Sequence, residues 1–320
     1  MSFLPILAAF AAQASAPLPI IDMHLHAQSA TEFGPPGQIL CSPLPELPPR
    51  DPSRPMGEYL SKIFGGVGCK RAFAAPKTDA EIRDRSLAEL RRLNILGVTS
   101  GEAARVAEWH AREPTRIIPA LSFGADSMPP IAELRRLHAA GRLKVLGEIT
   151  TQYGGMGPND ARLEPYFALA EELDIPVAIH VGPGPPGVAY FAAPKYRANL
   201  SNALLLEEVL LRHPKMRIYA MHAGWPLGDA MVAMMYAHPQ LYVDTGILDY
   251  AYPRADFHGY LKRLMDAGFG KRVMFGSDQM IWPDAIGYAV EGIETAAFLS
   301  REQKRDILYN NAARFLRLTP

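Results

Sequence analysis

The chain has 320 residues, of which 48% are hydrophobic and 21% charged, the composition of an ordinary globular protein. Its 33 Lys and Arg residues are balanced by 33 Asp and Glu residues. Proteins that bind nucleic acid or a membrane surface present a basic face, so the zero net charge argues against both kinds of partner. The length fits two domains or one α/β barrel.

The first 16 residues have the pattern of an export signal. Phe3 to Ala12 is nearly all apolar, and Ala14-Ser15-Ala16 has the small residues of a cleavage site. The basic residue that usually precedes the apolar run is missing, and the alternative is a buried N-terminal helix. The run is too short to cross a bilayer, and no other segment reaches that length. The sequence therefore predicts an exported chain, periplasmic or secreted, without a transmembrane segment.

A short predicted strand follows, and it contains Asp22, Met23, His24, Leu25 and His26. Side chains two residues apart on a strand point to the same side. The aspartate and both histidines are therefore expected on one face, and Met23 and Leu25 on the other. Two such imidazoles can approach one metal ion, but the pair alone also fits two polar residues at a strand end.

Residues 28–77 have no clear period and are rich in Pro and Gly. A long irregular segment inside a compact domain is typically a functional lid or a disordered region. Its apolar residues favour an ordered lid, with a short helix at 59–64. The two cysteines of the chain, Cys41 and Cys69, lie in this segment. An oxidising compartment would allow a disulfide between them, and the sequence leaves open whether they are bridged.

From Thr78 onward, helices and strands alternate. Thr78 and Glu81 predict a capping box at the start of the first of these helices. Helices are predicted at residues 78–93, 102–112, 130–140, 161–173, 201–212, 227–237, 255–267, 285–299 and 301–316. Strands are predicted at residues 97–100, 116–123, 143–149, 176–181, 216–222, 241–246 and 272–276. With the first strand, this predicts one domain over 17–320, an α/β (β/α)8 TIM barrel with an extra C-terminal helix.

In such a barrel the active site lies at the carboxyl ends of the strands. Polar residues end five of the predicted strands, each after an apolar run. They are His24 and His26 on the first, Glu148 on the fourth, His180 on the fifth, His222 on the sixth and Asp278 on the eighth. A lone histidine there is usually structural, but four histidines and two carboxylates on one rim indicate a metal site. This ligand set suits zinc, and also manganese, iron or cobalt.

Together these motifs resemble the amidohydrolase superfamily of metal-dependent TIM-barrel hydrolases, and more closely its amidohydrolase-related branch, also called amidohydrolase 2. The resemblance rests on Asp22-x-His24-x-His26, His180, His222 followed by Ala-Gly, and Gly276-Ser277-Asp278. It extends from about Ile20 to the end of the chain.

The resemblance implies a divalent metal held by the first-strand histidine pair, His180 and Asp278. In two-metal members a fourth-strand group bridges the ions, and this chain has Glu148 there. Glu148 could instead orient a ligand, so one or two ions are both consistent with the sequence. The resemblance further implies that His222 helps activate water or substrate. Asp278 is the expected base that accepts a proton from the attacking water and passes it to the leaving group.

The loops after these strands supply candidate substrate contacts. They are Gln152, Tyr153, Trp225, Asp249, Tyr250, Gln279 and Trp282. Aromatic side chains there can stack on a ring or cover an apolar group, although loop packing explains each equally well.

The function expected from these features is a metal-dependent hydrolase that uses a metal-activated water to cleave an amide, lactone or other ester bond of a small molecule. The first alternative is a metal-dependent non-oxidative decarboxylase of a small carboxylic acid. The second is a non-catalytic metal- or ligand-binding barrel. The export signal favours hydrolysis, and self-association into a homo-oligomer stays open.

Overall fold

The computed structural model describes residues 17–318, and the export signal expected in residues 1–16 lies outside them. The strands are β1 (Ile20–Ala27), β2 (Ile39–Ser42), β3 (Arg71–Ala74), β4 (Ile95–Gly101), β5 (Ile117–Phe123), β6 (Val145–Ile149), β7 (Val177–His180), β8 (Ile218–Met221), β9 (Leu241–Asp244) and β10 (Val273–Met274). The helices are α1 (Met56–Phe64), α2 (Asp79–Arg92), α3 (Ala103–Arg112), α4 (Ile131–Ala139), α5 (Glu164–Glu172), α6 (Glu207–Arg212), α7 (Gly228–Ala237), α8 (Leu248–Ala251), α9 (Arg254–Asp266), α10 (Ala285–Glu294), α11 (Arg301–Arg305) and α12 (Asn311–Leu316).

Eight of the strands form one parallel sheet, in the order β1-β4-β5-β6-β7-β8-β9-β10. The first and last strands of this order, β1 and β10, meet. The Met23 amide donates to the Phe275 carbonyl at 2.9 Å, and the Asp278 amide donates to the His24 carbonyl at 2.7 Å. The sheet is thereby closed into a barrel with helices between successive strands. This confirms the predicted TIM barrel.

The capping box predicted before α2 is present. The Glu81 amide donates to Thr78 Oγ1, and the Thr78 amide donates to the Glu81 carboxylate, both at 3.2 Å. Two other predicted helices are not continuous α-helices over their predicted length. The helix predicted at 201–212 is α-helical only over α6, because Asn202 caps a preceding 3-10 turn. The helix predicted at 301–316 is divided by a π-helical turn at Asp306–Asn310.

Two apolar layers surround the barrel wall. The inner layer fills the barrel below its rim and includes Val98, Val145 and Tyr219, with Phe315 of α12 packed against it. The outer layer lies between strands and helices. The Phe315 carbonyl accepts from Arg217, which precedes β8, so α12 closes the amino-terminal end of the barrel. The additional C-terminal helix thus leaves the carboxyl-terminal rim open for a site.

Strand β1 does not alternate strictly. Its pairing with β4 shifts register between Asp22 and Leu25. Met23 packs into the inner layer, whereas Leu25 packs into the outer layer. The expectation that these two share one face, with Asp22 beside the histidines on the other, was therefore wrong. An extra residue in a strand breaks the period of two, and no residue type in this strand announces such a bulge.

The insertion at residues 28–77 is ordered. Strands β2 and β3 pair antiparallel, and a disulfide joins Cys41 to Cys69, whose Cα atoms are 5.1 Å apart. We call these two strands and their disulfide the insertion hairpin. Helix α1 begins three residues earlier than predicted, directly after Pro55, whose φ of −56° already fits a helical turn. Within residues 17–318, every helix lacks the length or the apolar character needed to cross a membrane.

Candidate metal centre

The six residues predicted as metal ligands meet at the carboxyl-terminal rim of the barrel. They are His24 and His26 in β1, Glu148 in β6, His180 at the end of β7, His222 after β8 and Asp278 after β10. Each is at most 7% exposed. The apolar strand residues before them fix the backbone, so the ends of distant chain segments come within ligand distance of one another.

Glu148 lies at the centre of the cluster. Its Oε1 is 3.7 Å from His24 Nε2, 3.5 Å from His222 Nε2 and 3.9 Å from His180 Nε2. Its Oε2 is 3.5 Å from His26 Nε2. The same nitrogen of all four imidazoles therefore faces one carboxylate.

Asp278 approaches the first-strand pair from the neighbouring segment after β10. Its Oδ1 is 2.9 Å from His26 Nε2 and 3.6 Å from His24 Nε2. Its Oδ2 is 3.8 Å from His222 Nδ1. The backbone of Asp278 has a φ of 51°, a left-handed conformation that the turn after β10 imposes.

The Nδ1 atoms of the histidines face fixed partners on the outer side of the cluster. The pairs are His24 with the Asp244 carboxylate (3.1 Å), His26 with the Ser100 hydroxyl (3.1 Å), His180 with the Gln152 side-chain amide, and His222 with the Gly246 carbonyl (3.0 Å). Such partners orient a ligating imidazole and set which nitrogen remains available. Here they direct Nε2 toward the centre.

Sequence reasoning missed Asp244 and Ser100. Asp244 is fully buried at the end of β9, where its Oδ1 accepts from the His222 and Gly246 amides, both at 2.9 Å. Its Oδ2 faces His24. A polar residue closing the apolar run Leu-Tyr-Val is the same signal that located the six rim residues, so the sequence did contain it.

Asp22 supports the cluster without joining it. Its Oδ1 accepts from the His24 and Ser277 amides, both at 2.9 Å, and so ties β1 to the turn after β10. Burial raises the pKa of this carboxyl to about 7. Its contribution is to the backbone that carries the ligands.

The charges in the cluster compensate one another. Burial lowers the pKa of His24, but the carboxylates of Asp278, Asp244 and Glu148 outweigh it and raise that pKa well above its ordinary value. Burial also opposes ionisation of Glu148, yet the surrounding imidazoles hold its pKa well below its ordinary value. Burial and neighbouring imidazoles lower the pKa of His180 to about 3, which leaves its ring neutral, the form that binds metals.

The residues present fit a divalent metal ion. Within the part of the chain that the structure describes, the buried Nε2 atoms of His24 and His222 have no hydrogen-bond partner. Among residues 17–318, the salt-bridge partners of Glu148 and Asp278 are all histidines, so no Lys or Arg neutralises these buried carboxylates. Imidazoles and carboxylates converging on one point form the ligand set that zinc and similar divalent ions take.

Three of the predicted substrate contacts lie beside the cluster. The Tyr153 hydroxyl is 3.4 Å from His180 Nε2, and Gln152 holds the other nitrogen of that ring. Trp225 follows His222 and packs against Tyr252, with ring centroids 4.0 Å apart. Tyr153 and Trp225 are only partly buried and therefore remain available to a bound molecule.

The other four candidates are buried in the structure and bonded elsewhere, so their placement does not support contact with a substrate. Asp249 accepts from Thr245 (3.1 Å), Tyr250 donates to the Asp278 carbonyl (2.5 Å), Gln279 donates to the His26 carbonyl (2.7 Å) and accepts from the His26 amide (3.0 Å), and Trp282 donates to the Gln38 carbonyl (3.0 Å). The side chain of a residue that follows a strand can face the open rim or fold beneath it. Its position in the sequence does not distinguish these two outcomes.

Residues 21–318 match the family model described as amidohydrolase. The chain belongs to the amidohydrolase family. An amidohydrolase is an enzyme, so the match supports the predicted enzyme over the non-catalytic alternative. A comparison with curated protein sequences found no significant match.

Several solved structures share the fold of this amidohydrolase. An uncharacterised TIM-barrel protein from Bordetella bronchiseptica is 19% identical, with a TM-score of 0.63, over 94% of this chain and 99% of that one. A probable 2-pyrone-4,6-dicarboxylic acid hydrolase from Acinetobacter baumannii is 14% identical, with a TM-score of 0.59, over 94% and 100%. A 5-carboxyvanillate decarboxylase from Novosphingobium aromaticivorans, complexed with manganese, is 14% identical, with a TM-score of 0.51, over 73% and 80%.

Proposed function

We propose that this amidohydrolase is a hydrolase that cleaves an amide, lactone or other ester bond of a small molecule at a two-metal centre. The observation that carries the proposal is the position of Glu148. Its carboxylate belongs both to a group with His24 and His26 and to a group with His180 and His222. A carboxylate shared by two ligand groups is the arrangement that two neighbouring ions need.

A divalent metal bound there would supply Lewis acidity, which lowers the pKa of water and polarises a carbonyl group. Zinc is the ion we propose, because imidazole nitrogen and carboxylate oxygen are its usual ligands; manganese, iron and cobalt are the alternatives. The manganese in the structurally similar decarboxylase supports a divalent ion in this fold.

The side chains around the centre transfer the proton and contact the substrate. Asp278 lies 2.9 Å from His26 Nε2 and accepts the proton of the attacking water, which it then delivers to the leaving group. His222 is anchored through Nδ1 and presents Nε2 to the centre of the cluster, where it would help to activate water or substrate. The Tyr153 hydroxyl donates a hydrogen bond to the substrate, and Trp225 covers its apolar part.

Metal analysis combined with a substrate screen tests this proposal. The purified protein is expected to hold about two equivalents of metal per chain and to turn over an ester, lactone or amide. Asp278→Asn keeps the size of the side chain but removes the base, and we expect it to abolish turnover. Unchanged turnover in Asp278→Asn would refute the mechanism.

The second candidate function is non-oxidative decarboxylation of a small carboxylic acid. The fold likeness to 5-carboxyvanillate decarboxylase supports it. The position of Glu148 in two ligand groups suits two ions and is the observation that favours hydrolysis over decarboxylation. Release of carbon dioxide from aromatic acids, with one metal equivalent and no ester turnover, would establish this function instead.

We also propose that the chain is exported. The apolar pattern of residues 1–16 supports this, and so does the Cys41–Cys69 disulfide, because disulfides persist in oxidising compartments. Fractionation of the producing cells, with sequencing of the mature N-terminus, tests it; the expected first residue is Pro17.

Self-association is a further proposal, supported by the exposed aromatic side chains of Tyr190 and Phe191 and testable by light scattering.

A further inference from the structure

Tyr250 joins the candidate metal centre to the insertion. It lies in α8, is 1% exposed, and donates its hydroxyl hydrogen to the Asp278 carbonyl at 2.5 Å. The hydroxyl thus contacts the backbone of a proposed ligand rather than its carboxylate. A tyrosine in this position acts through Asp278, not on the substrate.

The backbone of Asp278 needs such support. Its φ of 51° is disfavoured for a residue with a Cβ atom and persists only where surrounding contacts hold it. Two hydrogen bonds do so: the Asp278 amide donates to the His24 carbonyl at 2.7 Å, and the Asp278 carbonyl accepts from Tyr250. This conformation places the carboxylate 2.9 Å from His26 Nε2.

The other side of Tyr250 is held by the insertion hairpin. The Ser42 hydroxyl donates to the Tyr250 carbonyl at 2.6 Å, and the Leu44 amide donates to the Ala251 carbonyl at 2.7 Å. The ring of Phe73 in β3 meets the Tyr250 ring edge to face, with centroids 6.0 Å apart. Ser42 directly follows the disulfide cysteine Cys41. A continuous set of contacts therefore runs from the disulfide to Asp278.

We propose that Tyr250 is a positioning residue, which fixes the strained backbone of Asp278 and makes the geometry of the metal centre depend on the insertion hairpin. The inference rests on the proposed role of Asp278 as a ligand and base. Without the hydroxyl, the Asp278 backbone relaxes toward an ordinary conformation and its carboxylate leaves the histidines.

Tyr250→Phe tests the proposal, because it removes the hydroxyl and keeps the ring against Phe73. Zinc affinity of the protein, measured by competition with a chromophoric chelator, is expected to weaken about tenfold to hundredfold, the effect usual for residues that orient ligands. Tyr166→Phe is the matched control, since the Tyr166 hydroxyl donates to the Pro129 carbonyl at 2.8 Å and its ring packs on Phe123, neither of which belongs to the cluster. It should lose a comparable hydrogen bond and bind zinc as the wild type does.

Ser42→Ala provides a milder variant, in case Tyr250→Phe does not fold. It removes one tether of Tyr250, and we expect zinc affinity to weaken about threefold, near the value of one neutral hydrogen bond. Once a substrate is known, kcat should fall in Tyr250→Phe while KM stays constant. Wild-type zinc affinity in both Tyr250→Phe and Ser42→Ala would overturn the inference. A wild-type protein that binds no divalent metal would instead refute the proposed function.

Discussion

The barrel rim and the insertion lie next to each other and hold their side chains in different ways. At the rim, six polar residues come from strand ends, and each histidine has a fixed partner on its outer nitrogen. The insertion has two short strands and one short helix, and it exposes apolar side chains such as Val67, at 87%. The register of the barrel sets the rim geometry, whereas a few tethers and one disulfide set the shape of the insertion.

This difference predicts where substitutions change chemistry and where they change only stability. Rim variants should lose metal and activity while the barrel remains folded, because its apolar layers are separate from the cluster. Insertion variants should lose stability first. The residues that connect the two regions should show both effects.

The largest effect is expected from His24→Ala. It removes the imidazole that faces both Glu148 and Asp278, so metal binding and turnover should fall below detection. Elemental analysis and activity assays measure this. The matched control is His238→Ala, which removes a buried histidine near Glu207 on the outer side of the barrel. A metal content in His24→Ala equal to that of His238→Ala would show that the rim is not a metal centre.

A smaller loss is expected from Asp244→Asn. The amide replaces the carboxylate that faces His24 Nδ1, and such changes typically weaken metal binding by about tenfold to hundredfold. Asp249→Asn is its control, because Asp249 bonds to Thr245 rather than to a histidine, and burial raises the pKa of its carboxyl, which favours the uncharged form that Asn resembles. Calorimetric metal titration compares the two. Equal affinities would remove Asp244 from the set of orienting residues.

For the insertion, the double variant Cys41→Ser and Cys69→Ser sharpens the comparison. The disulfide closes a loop across a sequence separation of 28 residues, for which chain entropy gives about 3.6 kcal/mol of stabilisation as an upper value. Thermal unfolding should therefore shift to lower temperature, with a smaller loss of zinc affinity than in Tyr250→Phe. If the loss in zinc-binding free energy exceeded the loss in unfolding free energy, the insertion would be part of the metal centre itself.

The smallest effect is expected from Thr78→Ala, at the point where the insertion ends and α2 begins. The substitution removes the capping hydrogen bond to the Glu81 amide and should cost about 1 kcal/mol of unfolding free energy. Denaturant unfolding measures the loss. Metal content and turnover should equal those of the wild type. A change in either would contradict the expectation that substitutions away from the rim change only stability.

The sequence predicted the barrel and most of the rim because both follow from short patterns. An apolar run closed by a polar residue located Glu148, His180 and His222 at the rim. The same pattern is present at Asp244, but the strand was predicted to run on to Gly246, and Asp244 was therefore missed. Patterns of this kind involve only residues that are neighbours in the sequence. The parallel sheet then brings the carboxyl ends of the strands together at one rim.

Other features depended on contacts between distant segments. The bulge in β1 arises from its pairing with β4, and the alternation of Met23 and Leu25 gave no sign of it. The direction of Tyr250 and Gln279 is set by hydrogen bonds to backbone atoms of Asp278 and His26. No residue type marks such a bond in advance, so these side chains were predicted to contact the substrate, whereas in the structure they bond to the backbone of the rim residues.

The closure of the barrel has a consequence for how the enzyme forms. The seam between β1 and the segment after β10 joins residues 253 positions apart, and the ligands His24, His26 and Asp278 lie on its two sides. Contacts of such long sequence separation form late in folding, since loop-closure entropy opposes them. The ligand set is therefore incomplete until the last strand docks. A chain still being synthesised carries both β1 histidines without the carboxylate that completes their site, so docking of β10 both closes the barrel and completes the active centre.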